Sequence, residues 1–307
     1  MSSLAILEKW GLRPQRPEAI DSSMLKDFVD CESMFYLRHV LGLKKRFRSK
    51  IEDAKFDWGT CYHGAQEVLW KTEDITEALQ WIDENFPSYI TPETDKHKRS
   101  KERMFKQFLD YYENKFPILH QEYELLRTEQ FFDVFDEDSG LRWAGRIDKI
   151  RRRRRNGKIV VWDYKTTSVM GTHYFNSHEF SFQFPGYVWA ANRLFTEPVE
   201  EIYLDVMYTL AGKYEFFGRT FRYTPHQLNE WVRNVKLVLA RIHYMLDNHL
   251  YEPEAWIKNW NNCTRYGLCQ FADIHYIAPI GDTRLSILSQ DYYEERWDPI
   301  IAVEEAS

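Results

Sequence analysis

The chain has 307 residues, of which 44% are hydrophobic and 16% aromatic, and its formal net charge is -6. This composition allows a substantial core and excludes wholesale disorder. The acidic balance excludes a protein that is basic over its whole surface, although a local basic stripe can still bind nucleic acid. We find no stretch of roughly 20 apolar residues, no signal-peptide pattern and only four cysteines, so we expect a cytoplasmic protein without membrane spans.

The first part of the chain predicts helices. Ser22 and Ser23 can cap a helix whose apolar residues recur at helical spacing. Three more helices are predicted, over about 59–70, 76–85 and 98–116. Pro117 is expected to end the last of them, because proline disrupts a helix interior.

Five segments rich in β-branched and aromatic residues then predict strands. They are LLRTEQFFDVF, LRWAGRIDKIRR, KIVVWDYKTT, EEIYLDVMYTL and KYEFFGRTFRY. A helix in FQFPGYVWAANRLF separates the third strand from the fourth, and a long helix with one apolar stripe begins at Pro225. This order favours a single α/β domain over 1–307. We divide it into a mainly helical N-terminal lobe at 1–125, an α/β core at 126–225, and a C-terminal helix with a cysteine-bearing tail at 226–307.

Asn156-Gly157 predicts a tight two-residue hairpin turn between the second and third strands. With that turn Asp148 faces Lys165 and is diagonal to Asp163, so the three side chains project from one face. Two carboxylates at this spacing can bind a hard cation such as Mg²⁺, and an ammonium beside them suits phosphodiester hydrolysis. The alternative is a plain ion pair between Asp148 and Lys165 at a sheet edge.

The run GRIDKI followed by VVWDYKTT resembles the PD-(D/E)xK nuclease superfamily, in particular its RecB-like exonuclease branch, which includes CRISPR adaptation nucleases and phage relatives. Four further segments match this branch in order: SSMLKDFVDCESMFYLRHVLGL, WGTCYHGAQEVL, QFPGY and NCTRYGLCQF. The resemblance spans about residues 20 to 271. It implies a restriction-endonuclease-like core, which is a central mixed sheet flanked by helices.

The resemblance also implies roles for individual residues. His63, in the Gly-xxx-His segment, would bind a Mg²⁺ or Mn²⁺ ion together with Asp148 and Asp163. The backbone carbonyl of Tyr164 would add a ligand, and Lys165 would be the catalytic lysine. For His63, the alternative is a helix histidine in a polar environment.

Gln183 and Tyr187 match the family's Gln-xxx-Tyr segment and lie four residues apart on one helix face. The resemblance implies that they are part of the catalytic site and orient DNA or the lysine, whereas ordinary packing is the alternative. Glu129, on the preceding strand, is a candidate for a further acid.

Two basic stretches are candidates for DNA contacts. In the run RRRRR, strand alternation places Arg152 and Arg154 on the face of the metal site, where they would grip phosphates. A solvated hairpin end is the alternative. The second stretch begins with Lys44, Lys45 and Arg46 and would line a DNA channel or form a solvated loop.

The cysteines depart from the family pattern. Its iron–sulfur members use one N-terminal and three C-terminal cysteines, and here Cys31, Cys263 and Cys269 match three of those positions while Trp260 occupies the fourth. Three thiolates are one short of the four that a 4Fe–4S cluster uses. We therefore expect small core residues that tie the tail to the N-terminal helix by packing, with the cluster as the alternative.

Together these features predict a metal-dependent DNA exonuclease that acts on single strands or DNA ends by water attack. One alternative is a structure-specific endonuclease of the same fold, and another is an inactive DNA-binding subunit. The resemblance points to DNA recombination or repair, or to a phage, with a recombination or helicase protein as a partner. Cleavage polarity and oligomeric state are left open.

Overall fold

The computed structural model describes residues 7, 11–46, 50–94, 98–137, 140–264, 268–276 and 291–296. Ten α-helices lie within them: α1 (Ser22–Asp30), α2 (Glu32–Phe35), α3 (Lys50–Thr72), α4 (Ile75–Asn85), α5 (Lys101–Asn114), α6 (Phe116–Glu122), α7 (Thr172–Glu179), α8 (Gln183–Leu194), α9 (Pro225–Asn248) and α10 (Ala272–Tyr276). A π-helical turn at Tyr36–Val40 continues α2, and short 3-10 segments lie at Pro253–Ala255 and Trp260–Asn262.

Seven strands lie within the same residues: β1 (Leu43–Lys45), β2 (Tyr123–Asp136), β3 (Leu141–Arg153), β4 (Ile159–Thr167), β5 (Glu201–Thr209), β6 (Tyr214–Arg222) and β7 (Tyr292–Glu294). Five form a mixed sheet in the order β2-β3-β4-β5-β6, while β1 pairs with β7. β4 is antiparallel to β3 and parallel to β5. Parallel neighbours need a crossover, which α7 and α8 supply. A mixed sheet flanked by helices confirms the predicted fold class.

Several predicted helix boundaries were wrong. Asp21, and not Ser22 or Ser23, caps α1: its side chain accepts a hydrogen bond from the backbone N–H of Met24. The helix predicted over 59–70 already begins nine residues earlier, as α3. Pro117 lies in the first turn of α6, where its missing N–H breaks no hydrogen bond, so it begins a new helix after α5 has ended.

Contacts within the chain divide it into two compact units. The first contains Met1–Arg48, Asp133–Gly145 and Asn229–Ser307, and the second contains Ser49–Phe132 and Arg146–Leu228. The second unit holds most of the mixed sheet and all of α3 to α8. The predicted division at residues 125 and 225 is a different partition of the chain and stays a prediction.

The core of the second unit lies between β4 and the helix α3. Trp162 and Tyr164 point from β4 into a cluster with Trp58 and Tyr62 of α3, and all four are fully buried. The first six residues of β4 are buried on both faces of the strand, as expected for a strand in the interior of a sheet covered by helices. Its last three residues are half-buried, and the charged end of KIVVWDYKTT lies there.

The first unit has an aromatic core of its own. Trp256 is 1% exposed and packs against Phe28, Phe35 and Tyr36, with ring centroids 4.9 to 6.4 Å apart. Its indole N–H donates to the backbone carbonyl of His249. This contact ties the segment that follows α9 to α1 and α2.

Candidate active site

The hairpin between β3 and β4 has a longer loop than predicted. Lys149 pairs with Trp162, and Arg152 pairs with Ile159. The backbone N–H of Arg153 donates to the carbonyl of Lys158 at 2.8 Å, so residues 154–157 form a four-residue loop. Only its last residue, Gly157, has a positive φ, of 69°. The predicted two-residue turn was wrong, because that turn needs a positive φ at Asn156 as well.

The resulting register differs from the predicted one by two residues. Side chains alternate with a period of two, so this shift leaves every side chain on its predicted face. The paired residues of β3 run from Lys149 to Arg152, and the same register continued by one residue would align Asp148 with Asp163 and not with Lys165. In a regular antiparallel ladder, residues aligned in this way have Cβ atoms about 5 Å apart. Asp148 Oδ2 also accepts a hydrogen bond of 2.8 Å from the backbone N–H of Tyr164, which holds the carboxylate at this end of β4.

The half-buried Lys165 and the fully buried Asp163 form an ion pair within β4. Lys165 Nζ lies 2.9 Å from Asp163 Oδ1, to which it donates, and 2.7 Å from Oδ2. Both oxygens of the buried Asp163 carboxylate therefore lie within ion-pair distance of the ammonium, and of the two only Oδ1 meets hydrogen-bond geometry with it. The predicted alternative, an ion pair of Asp148 with Lys165, is therefore not the contact that the hairpin makes.

Burial and the neighbouring charges shift both pKa values. Burial raises the pKa of Asp163, Lys165 counteracts this rise, and the negative charge of Asp148 adds to it. Burial by itself would lower the pKa of Lys165, but the Asp163 and Asp148 carboxylates outweigh it and the pKa is raised. Lys165 is therefore a charged ammonium at neutral pH, beside a carboxylate that is easier to protonate than an exposed one.

His63 approaches the same carboxylates from α3. Its Nδ1 lies 3.5 Å from Asp148 Oδ2. Burial lowers the pKa of His63, and the charge of Asp148 opposes this effect. A Cβ atom at Gly59 would lie 3.4 Å from Thr166 Oγ1, so the glycine lets α3 lie close to the end of β4. The helix thus brings a neutral imidazole to the edge of the acidic pair.

Glu129 is a third acid near this group. It has a φ of 45° within β2, which is strained for a residue with a side chain. Its carboxylate lies 2.8 Å from Arg146 Nε. Burial raises the pKa of Glu129 to about 7, and the negative charge of Asp148 adds to the rise while Arg146 opposes it. The sequence marked it only by its position on the preceding strand.

Gln183 and Tyr187 contact each other as their spacing predicts. Gln183 Nε2 donates to the Tyr187 hydroxyl at 2.9 Å, in the first turns of α8. Tyr187 is buried and its ring lies edge-on to Phe132. α8 packs against β4 and β5, so the pair belongs to the helix that covers the sheet beside the site.

The arginine run is divided between the two faces of β3. Arg151 is fully buried, with its guanidinium 3.3 Å from the ring of Trp70 and 3.6 Å from that of Trp162. Arg152 is on the face of Asp148 but four residues away, about 13 Å along the strand, and lies 3.2 Å from Glu197. Arg154 is exposed in the loop. A DNA contact for Arg152 and Arg154 stays a prediction.

The second basic stretch lies in the first unit and has acidic neighbours. Lys44 forms an ion pair with Glu295, and Lys45 with Asp273 at 2.8 Å. Arg46 donates to the backbone carbonyl of Tyr292. Residues 47–49 lie outside the described residues. These pairs reduce the charge that the stretch offers to phosphates, and its DNA role also stays a prediction.

The three cysteines of the tail and of α1 lie together in the first unit. Burial raises the pKa of Cys269, and Cys263 and Cys31 are close enough to raise it further. Cys31 and Cys263 are buried, and Trp260 is 52% exposed. A 4Fe–4S cluster usually takes four cysteine ligands, and the described residues bring three thiols together here, so the cluster stays an alternative. Packing of the tail, as around Trp256, is what the contacts favour.

The acidic side chains of this site are candidate metal ligands. Among the described residues, no three His, Cys, Asp or Glu side chains are arranged so that they could hold a metal ion. Mg²⁺ binds in proteins through one or two carboxylates and keeps several waters, so the donor chemistry of Asp148 and Asp163 suits this ion. The Lys165 ammonium lies at the Asp163 carboxylate in this structure, 2.7 Å from Oδ2.

Comparisons with known proteins place the chain in a family. The sequence profile of the PD-(D/E)XK nuclease superfamily matches residues 22–274. No curated protein matches the sequence. In the described part of the chain, no helix is both long and apolar enough to cross a bilayer.

Solved structures that resemble the chain include two proteins of low sequence identity. One is named "Putative exonuclease" from Eubacterium rectale; it is 14% identical, has a TM-score of 0.52, and the match covers 89% of this chain and 94% of that one. The other, named SSO0001, is 13% identical with a TM-score of 0.31 and coverage of 81% and 91%, and no argument rests on it. At 14% identity, the likeness to the first structure shows a shared fold and does not show the activity of this chain.

Proposed function

Because the chain belongs to the PD-(D/E)XK nuclease superfamily, we propose that it is a Mg²⁺- or Mn²⁺-dependent DNA exonuclease. The observation that carries this proposal is the group of charged side chains that β3 and β4 bring together. There the Lys165 ammonium lies 2.7 Å from the buried carboxylate of Asp163, and the negative charge of Asp148 is close enough to raise the pKa of Asp163 further.

Bringing Asp148, Asp163 and Lys165 together lowers the stability of the fold. Two carboxylates brought together in a buried strand pair repel each other, and Lys165 offsets only one of them. A cation held between Asp148 and Asp163 would compensate for the second charge. This favours an active enzyme over the inactive DNA-binding alternative.

A divalent cation at Asp148 and Asp163 would lower the pKa of bound water and neutralise charge on the phosphodiester. The protein supplies the two carboxylates, and we assign further donor roles to His63 and to the carbonyl of Tyr164. Lys165, a charged ammonium, is a poor proton acceptor and a good partner for the negative charge that grows on the phosphate. Lys165 therefore acts as an electrostatic stabiliser.

Gln183 and Tyr187 have a positioning role in this proposal. Their mutual hydrogen bond fixes the amide at the start of α8, where it can orient Lys165 or a phosphate oxygen. Arg152, Arg154, Lys44, Lys45 and Arg46 are proposed to contact the DNA backbone. The enzyme would work in the cytoplasm on DNA ends or single strands, beside a recombination or helicase partner.

One assay separates this proposal from its alternatives. The protein is incubated with Mg²⁺ and either end-labelled linear DNA or a closed circle of the same sequence. We expect loss of label from linear DNA only, no activity with EDTA, and a 100- to 1000-fold fall in kcat, in order of magnitude, for Lys165→Ala and Asp148→Asn.

A matched control is available in the same sheet. Lys213→Ala removes an exposed lysine that contacts Glu215, also two residues away and at 2.9 Å, and should leave the activity unchanged. Cutting of circles would favour the endonuclease alternative. If folded wild-type protein cuts neither substrate, or if Lys165→Ala is fully active, the proposed site is wrong.

A further inference from the structure

The helix α7, which follows β4, presents rings to solvent. None of its eight residues is buried, and Tyr174, Phe175 and His178 are all half-exposed. Phe180, directly after the helix, is 83% exposed. When a ligand covers exposed rings that lie close together, their apolar surface is removed from water, which is favourable. A surface of this kind is therefore typical of a binding site.

This helix lies beside the catalytic pair. The rings of Tyr174 and His178 are 4.8 Å apart, and His178 stacks on Phe184 of α8 at 5.4 Å. Burial raises the pKa of Tyr174, and the charge of Asp163 adds to the rise. Burial also lowers the pKa of His178 to about 4, with a contribution from Lys165. Phe184 directly follows Gln183, so the ring of His178 packs at the start of the helix that carries the Gln183–Tyr187 pair.

The chemistry of the surface suits a nucleic acid strand. His178 is uncharged at neutral pH, so the rings of α7 form a neutral, flat-sided surface. Arg219 lies over the ring of Phe175 at 5.4 Å and is 3.8 Å from Glu179. Bases can stack on the rings, because every base has a flat face, and a guanidinium beside the rings can bind a phosphate of the same strand.

We propose that Tyr174 and Phe180 stack on nucleobases of the strand being cut, and that the site thereby selects an unpaired strand. In a duplex the faces of each base are covered by its neighbours, so only an unpaired strand offers them to side chains. Arg219 contacts a phosphate of the same strand. This inference rests on the proposed nuclease function and adds the residues that would select the single strand among the substrates named there.

The test compares kcat and KM for a single-stranded 20-mer and for the blunt duplex of the same sequence. Loss of one stacking ring should raise KM for the single strand by about 5- to 100-fold in Phe180→Ala and Tyr174→Ala, with a smaller effect on kcat. Phe180→Trp and Tyr174→Phe retain a ring and should keep KM near the wild-type value. Phe56→Ala removes a ring that is 67% exposed on α3 and serves as the matched control.

A binding measurement keeps this inference separate from the proposed activity. In the Lys165→Ala protein, a single strand carrying 2-aminopurine should show quenched fluorescence on binding, and the quenching should disappear when Phe180→Ala is added. The same loss with Phe56→Ala, an unchanged KM in both ring variants, or equal cleavage of the blunt duplex would overturn the inference. Ring-dependent quenching by a protein that cuts no DNA would support it while refuting the nuclease proposal.

Discussion

At the scale of single residues, the Lys165–Asp163 pair can be read as catalysis or as stability. A buried ion pair seldom adds net stability, because desolvation of both charges offsets their attraction. Breaking the pair on one side, however, leaves a buried charge or an unpaired group. Stability and activity therefore respond differently to single and double substitutions.

The first prediction uses this difference. Lys165→Met and Asp163→Asn should each lower the free energy of unfolding by about 1 to 3 kcal/mol in metal-free buffer, and the double variant should recover most of that loss. Nuclease activity should be lost in all three. Urea unfolding followed by tryptophan fluorescence measures stability, and the labelled-end assay measures activity. Recovery of activity in the double variant would show that the pair is structural.

At the scale of elements, the hairpin between β3 and β4 shows that the face on which a strand residue lies is easier to predict than the exact loop length. Asn156-Gly157 marks the reversal correctly, but the four-residue loop needs a positive φ only at Gly157. Strand alternation then places Asp148 and Asp163 on one face despite the shift, because a two-residue slip preserves the period of the pleat. A one-residue slip would have separated them.

The second prediction tests this loop. Gly157→Ala should destabilise the protein by about 1 kcal/mol, since an alanine is strained in the left-handed region, whereas Gly157→Asn should cost less. Space is not limiting, because nothing lies within 4 Å of a Cβ atom built there. Gly212→Ala, at an equally open position without a positive φ, should be neutral or slightly stabilising. Equal effects of the two alanines on thermal unfolding would contradict the assigned loop.

At the scale of the whole molecule, the chain builds two cores. Residues 146–228 supply strands and helices to the unit with the candidate site, while the segments after α9 return to the unit that contains α1. In the unit that contains α1, the cysteine pattern of the family is incomplete. There an aromatic cluster around Trp256 holds the tail.

The third prediction follows from that packing. Trp256→Ala removes a 1% exposed ring and should cost about 3 to 5 kcal/mol, as large-to-small changes of buried aromatic residues do. Trp260→Ala, four residues further and 52% exposed, should change stability by less than about 1 kcal/mol. Chemical unfolding of both variants measures the difference. If Trp260→Ala were the more destabilising of the two, the tail would be held through the position of Trp260. If anaerobically purified protein contained iron in stoichiometric amount, a cluster would hold the tail.

The sequence by itself determined the five central strands, the helices between them and the shared face of Asp148, Asp163 and Lys165. These features depend on local periodicity, which a single chain displays directly. It also indicated the Gln183–Tyr187 contact, since residues four apart on a helix are neighbours.

Only the tertiary structure decided which partners those residues have. Lys165 pairs with Asp163 and not with Asp148, Arg151 is enclosed by tryptophans, and Glu129 approaches Asp148 from another strand. The location of α7 beside the site is of the same kind. Each depends on loop length, strand register or packing between distant segments, and the sequence pattern of either segment does not contain that information.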